Sequence, residues 1–99
     1  MDMTEAKYQS ELIRKLRLMF PEGIILKNDP GYLQGIPDLV IFYEARYAFL
    51  EVKASERART QPNQDYYVRK INEMSFAAFI HPSNEEEVLC ALRRALCGI

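Results

Sequence analysis

Three charged residues stand close together in a part of the sequence that is otherwise apolar. Asp38 is followed thirteen residues later by Glu51, and Lys53 comes two residues after that. The segments Leu39–Tyr43 and Tyr47–Val52 are rich in β-branched and aromatic residues and have the length of strands. The sequence therefore predicts two carboxylates and one ammonium group at the adjoining ends of neighbouring strands.

The connection around Glu44 is short enough for a hairpin, and this fixes the expected pairing. With a loop of two or four residues, Asp38 lies directly opposite Glu51, and Lys53 shares the face of Glu51 because side chains alternate along a strand. Opposed carboxylates repel each other unless a cation lies between them. The pattern predicts a divalent metal, with Lys53 as the nearby fixed charge.

On a solvated surface hairpin the same charges would need no explanation, since scattered Asp, Glu and Lys are common there. In the predicted register, however, Leu39 faces Leu50 on one side of the hairpin, and Val40 faces Phe49 on the other. Both faces are therefore apolar, as in a central sheet that helices cover. Charges at the end of such a sheet are costly unless they are paired or bind a metal, so we interpret the cluster as functional.

The rest of the sequence predicts the helices and strands that position this cluster. Apolar spacing predicts an amphipathic helix from Thr4 to about Phe20, and Pro62 suits the first turn of a helix that runs to about Met74. Ser83 is expected to cap a last helix, with Glu86 in the capping-box position. The predicted strands are Ile24–Lys27, Leu39–Tyr43, Tyr47–Val52 and Phe76–Ile80. These elements predict one α/β domain, residues 1–99, with a mixed central sheet flanked by helices in the order αβββαβα.

The charged motif also carries a family resemblance. Gly35-Ile36-Pro37-Asp38 followed by Glu51-Val52-Lys53 resembles the signature of PD-(D/E)xK nucleases, which include restriction enzymes and Holliday junction resolvases. More narrowly, the chain resembles the stand-alone virus-type replication-repair nuclease (VRR-NUC) domains that phages often encode. The supporting segments are Thr4-Glu5-Ala6-Lys7, Lys27-Asn28 and Pro62-Asn63-Gln64. The resemblance runs from about residue 4 to residue 80 and implies a restriction-endonuclease-like core and a metal-dependent endodeoxyribonuclease.

Roles follow for the residues of the cluster. Asp38 and Glu51 are expected to ligate Mg²⁺ or Mn²⁺ as hard oxygen donors, with the Val52 carbonyl as a third protein oxygen. Lys53 would orient the attacking water or stabilise charge on the scissile phosphate. The resemblance implies that Gln64, from the following helix, orients Lys53 or the water. Taken alone, Gln64 also suits an ordinary polar position at a helix start.

A further catalytic carboxylate is expected on the first helix, and two glutamates compete for this role. Glu5 precedes Tyr8 by three residues and Leu12 by seven, which places it on the face that docks onto the sheet. Glu11 lies among residues typical of a solvated face. A capping box that begins at Asp2 would leave Glu5 purely structural. We favour Glu5.

Charge does not point simply to a nucleic-acid partner. The formal net charge is −1 and the pI is 5.8, whereas DNA-binding surfaces are usually basic. Between Lys53 and Lys70, however, five basic residues outnumber two acidic ones, which favours contact with a phosphate backbone; solvated helix faces are the alternative. No apolar run approaches the length of a membrane span and no leader is recognisable, so we expect a cytoplasmic protein without membrane contact, in the host cytoplasm if a phage encodes it.

The expected partners are branched or double-stranded DNA and a second copy of the chain. One small domain presents one active site, and a two-fold dimer would suit the two-fold symmetry of a four-way junction. Surplus tyrosines offer material for a self-complementary surface, unless they are half-buried edges of the core: Tyr32, Tyr43, Tyr47, Tyr66 and Tyr67. The alternatives are a monomeric flap or nicking nuclease, an RNA-directed nuclease, and a non-catalytic binding module with a nuclease fold.

Overall fold

The computed structural model describes residues 3–98. Within them, three helices and four strands follow one another in the succession that the sequence predicts. They are α1 (Glu5–Met19), β1 (Ile24–Lys27), β2 (Leu39–Tyr43), β3 (Arg46–Val52), α2 (Pro62–Met74), β4 (Phe76–Ile80) and α3 (Glu85–Cys97). Strand β3 begins one residue earlier than predicted, because Arg46 pairs with Tyr43.

The four strands form a mixed sheet in the order β1-β2-β3-β4. The pairs β1–β2 and β2–β3 are antiparallel, whereas β3–β4 is parallel. The predicted hairpin register is confirmed, since Leu39 pairs with Leu50 and Val40 with Phe49. The loop has two residues, and its first residue, Glu44, has a φ of 55°, as the tight turns of two-residue hairpins require.

Helices cover both faces of this sheet, as the apolar pattern predicts. Helices α1 and α3 pack against one face and form the larger core, which includes Leu12, Leu16, Leu39, Leu50, Val52 and Leu92. Helix α2 packs against the other face around Val68, Ile71 and Ala77. Because Leu39 and Leu50 face α1 and α3, alternation directs the neighbouring Asp38 and Glu51 to the α2 face.

The start of α3 differs from the prediction. The helix begins after Asn84, and Ser83 does not cap it; the Ser83 hydroxyl instead lies 2.9 Å from Nδ1 of His81. The Asn84 side chain accepts a hydrogen bond from the His81 amide (2.8 Å) and donates one to the Phe79 carbonyl (3.1 Å). The polar side chains here satisfy the end of β4 rather than the helix amides, so the predicted capping box with Glu86 is wrong.

Candidate active site

The backbone around Asp38 holds its carboxylate at the end of β3. The amide of Asn28 donates to the Asp38 carbonyl (2.8 Å), which extends the β1–β2 ladder by one residue. On the opposite side, the amide of Val52 donates to Oδ2 of Asp38 (2.8 Å). The carboxylate therefore bridges from β2 to β3 beside Glu51, as the register predicts.

The loop before β2 is fixed to α2, which sets the position of Asp38 from the other side. Nδ2 of Asn28 donates to the Pro37 carbonyl (2.8 Å). This hydrogen bond joins the start of the loop to its end, at the residue that precedes Asp38. Gly35 has a φ of 93°, and a Cβ on it would lie 2.3 Å from Cβ of Asn63. Only glycine allows this approach of the loop to the first turn of α2. The motif alone assigned no role to Asn28 or Gly35.

Lys53, Gln64 and Glu51 form a connected chain of polar groups. Nζ of Lys53 donates to Oε1 of Gln64 (2.8 Å), and Nε2 of Gln64 donates to Oε2 of Glu51 (3.1 Å). The ammonium group also donates to the Arg59 carbonyl (3.1 Å) and lies 3.8 Å from Oε2 of Glu51. Oε1 of Gln64 accepts from the Gln61 amide (3.1 Å), which holds this side chain at the start of α2. The helix thus brings Gln64 to Lys53, which the resemblance links with it, and also to Glu51.

Glu51 carries the most unusual electrostatics of the cluster. Its side chain is 2% exposed, and Oε1 is buried without a hydrogen-bond partner. Burial raises the pKa of Glu51 most strongly and the charge of Asp38 raises it further, whereas Lys53 lowers it; the charge of Glu5 adds to the increase. The pKa moves from 4.5 to about 8. A buried, unpartnered carboxylate oxygen beside a second carboxylate is a place that favours a cation.

The donor set at this position fits a hard divalent ion. In an extended strand the N–H and C=O of one residue point to the same side, so the Val52 carbonyl is directed toward Asp38 like its amide. Across residues 3–98, no group of three or more His, Cys, Asp or Glu side chains is arranged to hold a metal. The available protein ligands are therefore two carboxylates and one carbonyl. Mg²⁺ sites commonly use one or two carboxylates, with waters and substrate phosphate completing the shell.

The structure separates the two glutamates of α1. Thr4 caps the helix, since its side chain accepts from the Lys7 amide (3.1 Å), and Glu5 is therefore the first helical residue. A capping box would need the glutamate three residues after the cap, so this alternative for Glu5 does not hold; Asp2 lies outside the described residues. Glu5 is exposed and Glu11 is half-buried, so the predicted burial of the two positions is wrong. The charge of Glu5 nevertheless raises the pKa of Glu51, and Glu11 is not among the groups that shift it.

We expect Glu5→Gln to lower cleavage at least about tenfold and Glu11→Gln to change it less than about twofold. Of the two glutamates, only Glu5 acts electrostatically on Glu51. Steady-state cleavage rates of the two variants, measured beside melting curves, test this ranking. A larger loss with Glu11→Gln would show that the face of α1 directed toward the site has been assigned wrongly.

The basic and aromatic residues that the sequence singled out divide into buried and exposed groups. Lys53 is buried in the network and is not available to a phosphate backbone as a surface charge. The other four basic residues of that segment are exposed: Arg57, Arg59, Arg69 and Lys70. Among the tyrosines, Tyr32 and Tyr66 are exposed, whereas Tyr43, Tyr47 and Tyr67 are half-buried at the core edges. The alternative interpretation, that the tyrosines are half-buried edges of the core, therefore holds for Tyr43, Tyr47 and Tyr67.

Comparison of the chain with protein-family models, with curated proteins and with solved structures gave no match. Between residues 3 and 98, no helix is both long and apolar enough to cross a membrane.

Proposed function

We propose that this protein is a Mg²⁺- or Mn²⁺-dependent, structure-selective DNA endonuclease of the PD-(D/E)xK class, similar to the stand-alone VRR-NUC domains. The observation that carries the proposal is the environment of Glu51. Its Oε1 is buried without a hydrogen-bond partner, its carboxylate is under the influence of the Asp38 charge, and its Oε2 is tied through Gln64 to the ammonium group of Lys53. Such an arrangement is costly for the fold and is more often found at functional sites.

Each residue of the cluster has a defined part in this proposal. Asp38, Glu51 and the Val52 carbonyl would hold the metal ion, which when bound supplies Lewis-acid activation of the scissile phosphate and lowers the pKa of a water. Lys53, whose ammonium group is held by Gln64 and the Arg59 carbonyl, would stabilise negative charge that develops on the phosphate oxygens. Gln64 positions Lys53, since its own orientation is set by the Gln61 amide and by Glu51.

The exposed basic residues favour a nucleic-acid backbone as the partner, and the family resemblance favours DNA. Four exposed basic side chains lie on the loop after β3 and on α2, the two segments that also supply the hydrogen-bond partners of Lys53. Phosphate contacts of this kind bind the backbone without reading bases. A bound divalent cation would further offset the acidic site, which reconciles the net charge of −1 with a polyanionic partner. We place this activity in the cytoplasm.

The test is cleavage of labelled four-way junctions, flaps, nicked and plain duplexes, and matched RNA, each with Mg²⁺, with Mn²⁺ and with excess EDTA. We expect hydrolysis of branched DNA with either ion and none with EDTA, because the proposed mechanism needs a divalent ion at Asp38 and Glu51 to activate the water, and the Lys53 ammonium cannot replace it. Cleavage that persists in excess EDTA would exclude the metal-dependent mechanism. Preferential cutting of RNA would show that the substrate is RNA rather than DNA, and the proposed metal-dependent hydrolysis would still hold.

We further propose a homodimer that resolves four-way junctions. Apolar side chains are exposed on the α2 face of the edge strand β1 and its neighbour: Ile24, Leu26 and Phe42. A two-fold dimer through such a self-complementary patch would present two sites to a junction of matching symmetry.

Light scattering at micromolar concentration is expected to give a mass of about twice 11.5 kDa, and junction cleavage to give paired symmetric nicks. Leu26→Glu should yield a monomer, because it places a charge in the patch. Leu18→Glu is the matched control, since Leu18 is exposed on α1, outside the patch. A monomeric wild type, or a preference for single-ended flaps over junctions, would favour a flap or nicking enzyme instead.

A further inference from the structure

A cleft of about 260 Å³ lies between the loop before β2 and the first turn of α2. Its walls are formed by Pro30, Gln34 and Gly35 from the loop, and by Gln61, Pro62, Asn63 and Gln64 from the helix. Gln64 therefore faces this cleft and also belongs to the hydrogen-bonded chain that connects Lys53 with Glu51. A group bound in the cleft would lie directly beside the proposed site of phosphate hydrolysis.

The lining has the chemistry of a nucleobase site. Amide side chains offer both donors and acceptors, which is the pattern that base edges require, and Gln34 and Asn63 are exposed and accessible to a ligand. Pro30 and Pro62 add flat apolar surface against which a ring can pack. The volume is below the range of about 300–1,000 Å³ typical of drug-sized ligands, so it suits one ring system rather than a large cofactor.

The loop that forms one wall is well ordered by its own hydrogen bonds. The Gly31 amide donates to Oδ1 of Asp29 (2.8 Å), and the Tyr32 amide donates to the Asp29 carbonyl (3.2 Å). A second turn follows, in which the Ile36 amide donates to the Leu33 carbonyl (3.2 Å). These turns belong to the loop that carries Tyr32, whose surface is 90% exposed. Such exposure leaves a large aromatic ring in water, which is unfavourable unless a partner covers it.

We infer that this cleft binds one unstacked nucleobase of the strand to be cut, and that Tyr32 offers a stacking surface for an adjacent base. The inference deepens the proposed nuclease function and rests on it. A base in a duplex presents only its groove edges, whereas a cleft that encloses a ring accepts only a base that has left the stack. Such a cleft would favour branched or frayed DNA over plain duplex.

The test measures binding in EDTA, where no cleavage is required. The probes are a duplex with a short single-stranded overhang that carries 2-aminopurine at its first unpaired position, and a blunt duplex of the same sequence. We expect Gln34→Ala/Asn63→Ala to weaken overhang binding about tenfold, to abolish the 2-aminopurine signal change, and to alter blunt-duplex binding less than about twofold. Asn63→Ala keeps the Cβ that packs against Gly35, so the loop stays docked.

Tyr32→Ala is the second variant, with Tyr66→Ala as its matched control because Tyr66 is exposed on α2 outside the cleft. Overhang binding should fall several-fold with the first and stay unchanged with the second. Wild-type affinity of the double variant, or equal losses for both DNAs, overturns the cleft as a base site; equal effects of the two tyrosine variants overturn the stacking role. Base-dependent binding by a protein that never cleaves would instead overturn the proposed hydrolysis and leave the cleft standing.

Discussion

Cleavage of DNA is expected to fall by about a hundredfold to a thousandfold or more when Asp38, Glu51 or Lys53 is replaced by Ala. Asp38 and Glu51 supply both carboxylates that face the proposed metal position, and Lys53 is the buried cation beside them. Losses of this size are typical when one group that stabilises transition-state charge is removed. Single-turnover rates with a junction substrate measure the effect.

Controls for these variants are available on the same chain. Glu73→Ala and Arg93→Ala remove exposed charges of both signs away from the cluster and should leave the rate within about twofold of wild type. DNA binding and far-UV circular dichroism, measured for every variant, separate lost chemistry from lost fold. If the Asp38→Ala variant cuts DNA at the wild-type rate, the carboxylate pair has no part in the mechanism.

Without divalent metal, the free energy of unfolding is expected to fall as the pH rises between about 4.5 and about 8. The pKa of Glu51 is raised in the folded protein from 4.5 to about 8, chiefly by burial and by Asp38. In this window the unfolded chain has released the proton that the folded chain still binds, so each pH unit favours unfolding. One retained proton gives a slope of at most about 1.4 kcal/mol per unit. The loss of stability is complete once the pH passes the pKa of Glu51 in the folded protein.

Divalent metal should oppose this trend, because Asp38 and Glu51 would hold it as carboxylates and its binding would release the proton of Glu51. Mg²⁺ or Mn²⁺ at about one hundred times its dissociation constant at pH 8 would stabilise the protein by about 2.7 kcal/mol there. The same concentration would stabilise it less at pH 5, where protons compete. Glu51→Gln should flatten the pH profile in this window and reduce the response to metal. Urea titrations at several pH values, with and without metal, measure both. A wild type whose stability is constant across the window would contradict the assigned protonation of Glu51.

Much of the site geometry follows from local sequence pattern. The alternation of apolar residues in β2 and β3, together with a two-residue loop, determines that Leu39 meets Leu50 and that Asp38 adjoins Glu51. Lys53 follows on the same face because side chains alternate. Helix boundaries near Pro62 and Thr4 also depend on neighbours in the sequence, since proline and a capping hydroxyl act within one turn. Short-range periodicity was sufficient for these features.

Other features depend on packing between distant segments, and only the tertiary structure decided them. Gln64 meets Lys53 and Glu51 because α2 packs against the face of the sheet on which these residues lie. The position of α2 depends in turn on the parallel pairing of β3 with β4, which the helix connects. Gly35 acquires its role only because Asn63 approaches it from α2. Ser83 has the sequence pattern of a cap, but the polar side chains of this turn are engaged at the end of β4. The raised pKa of Glu51 likewise arises from burial, which the assembled layers create and no local pattern encodes.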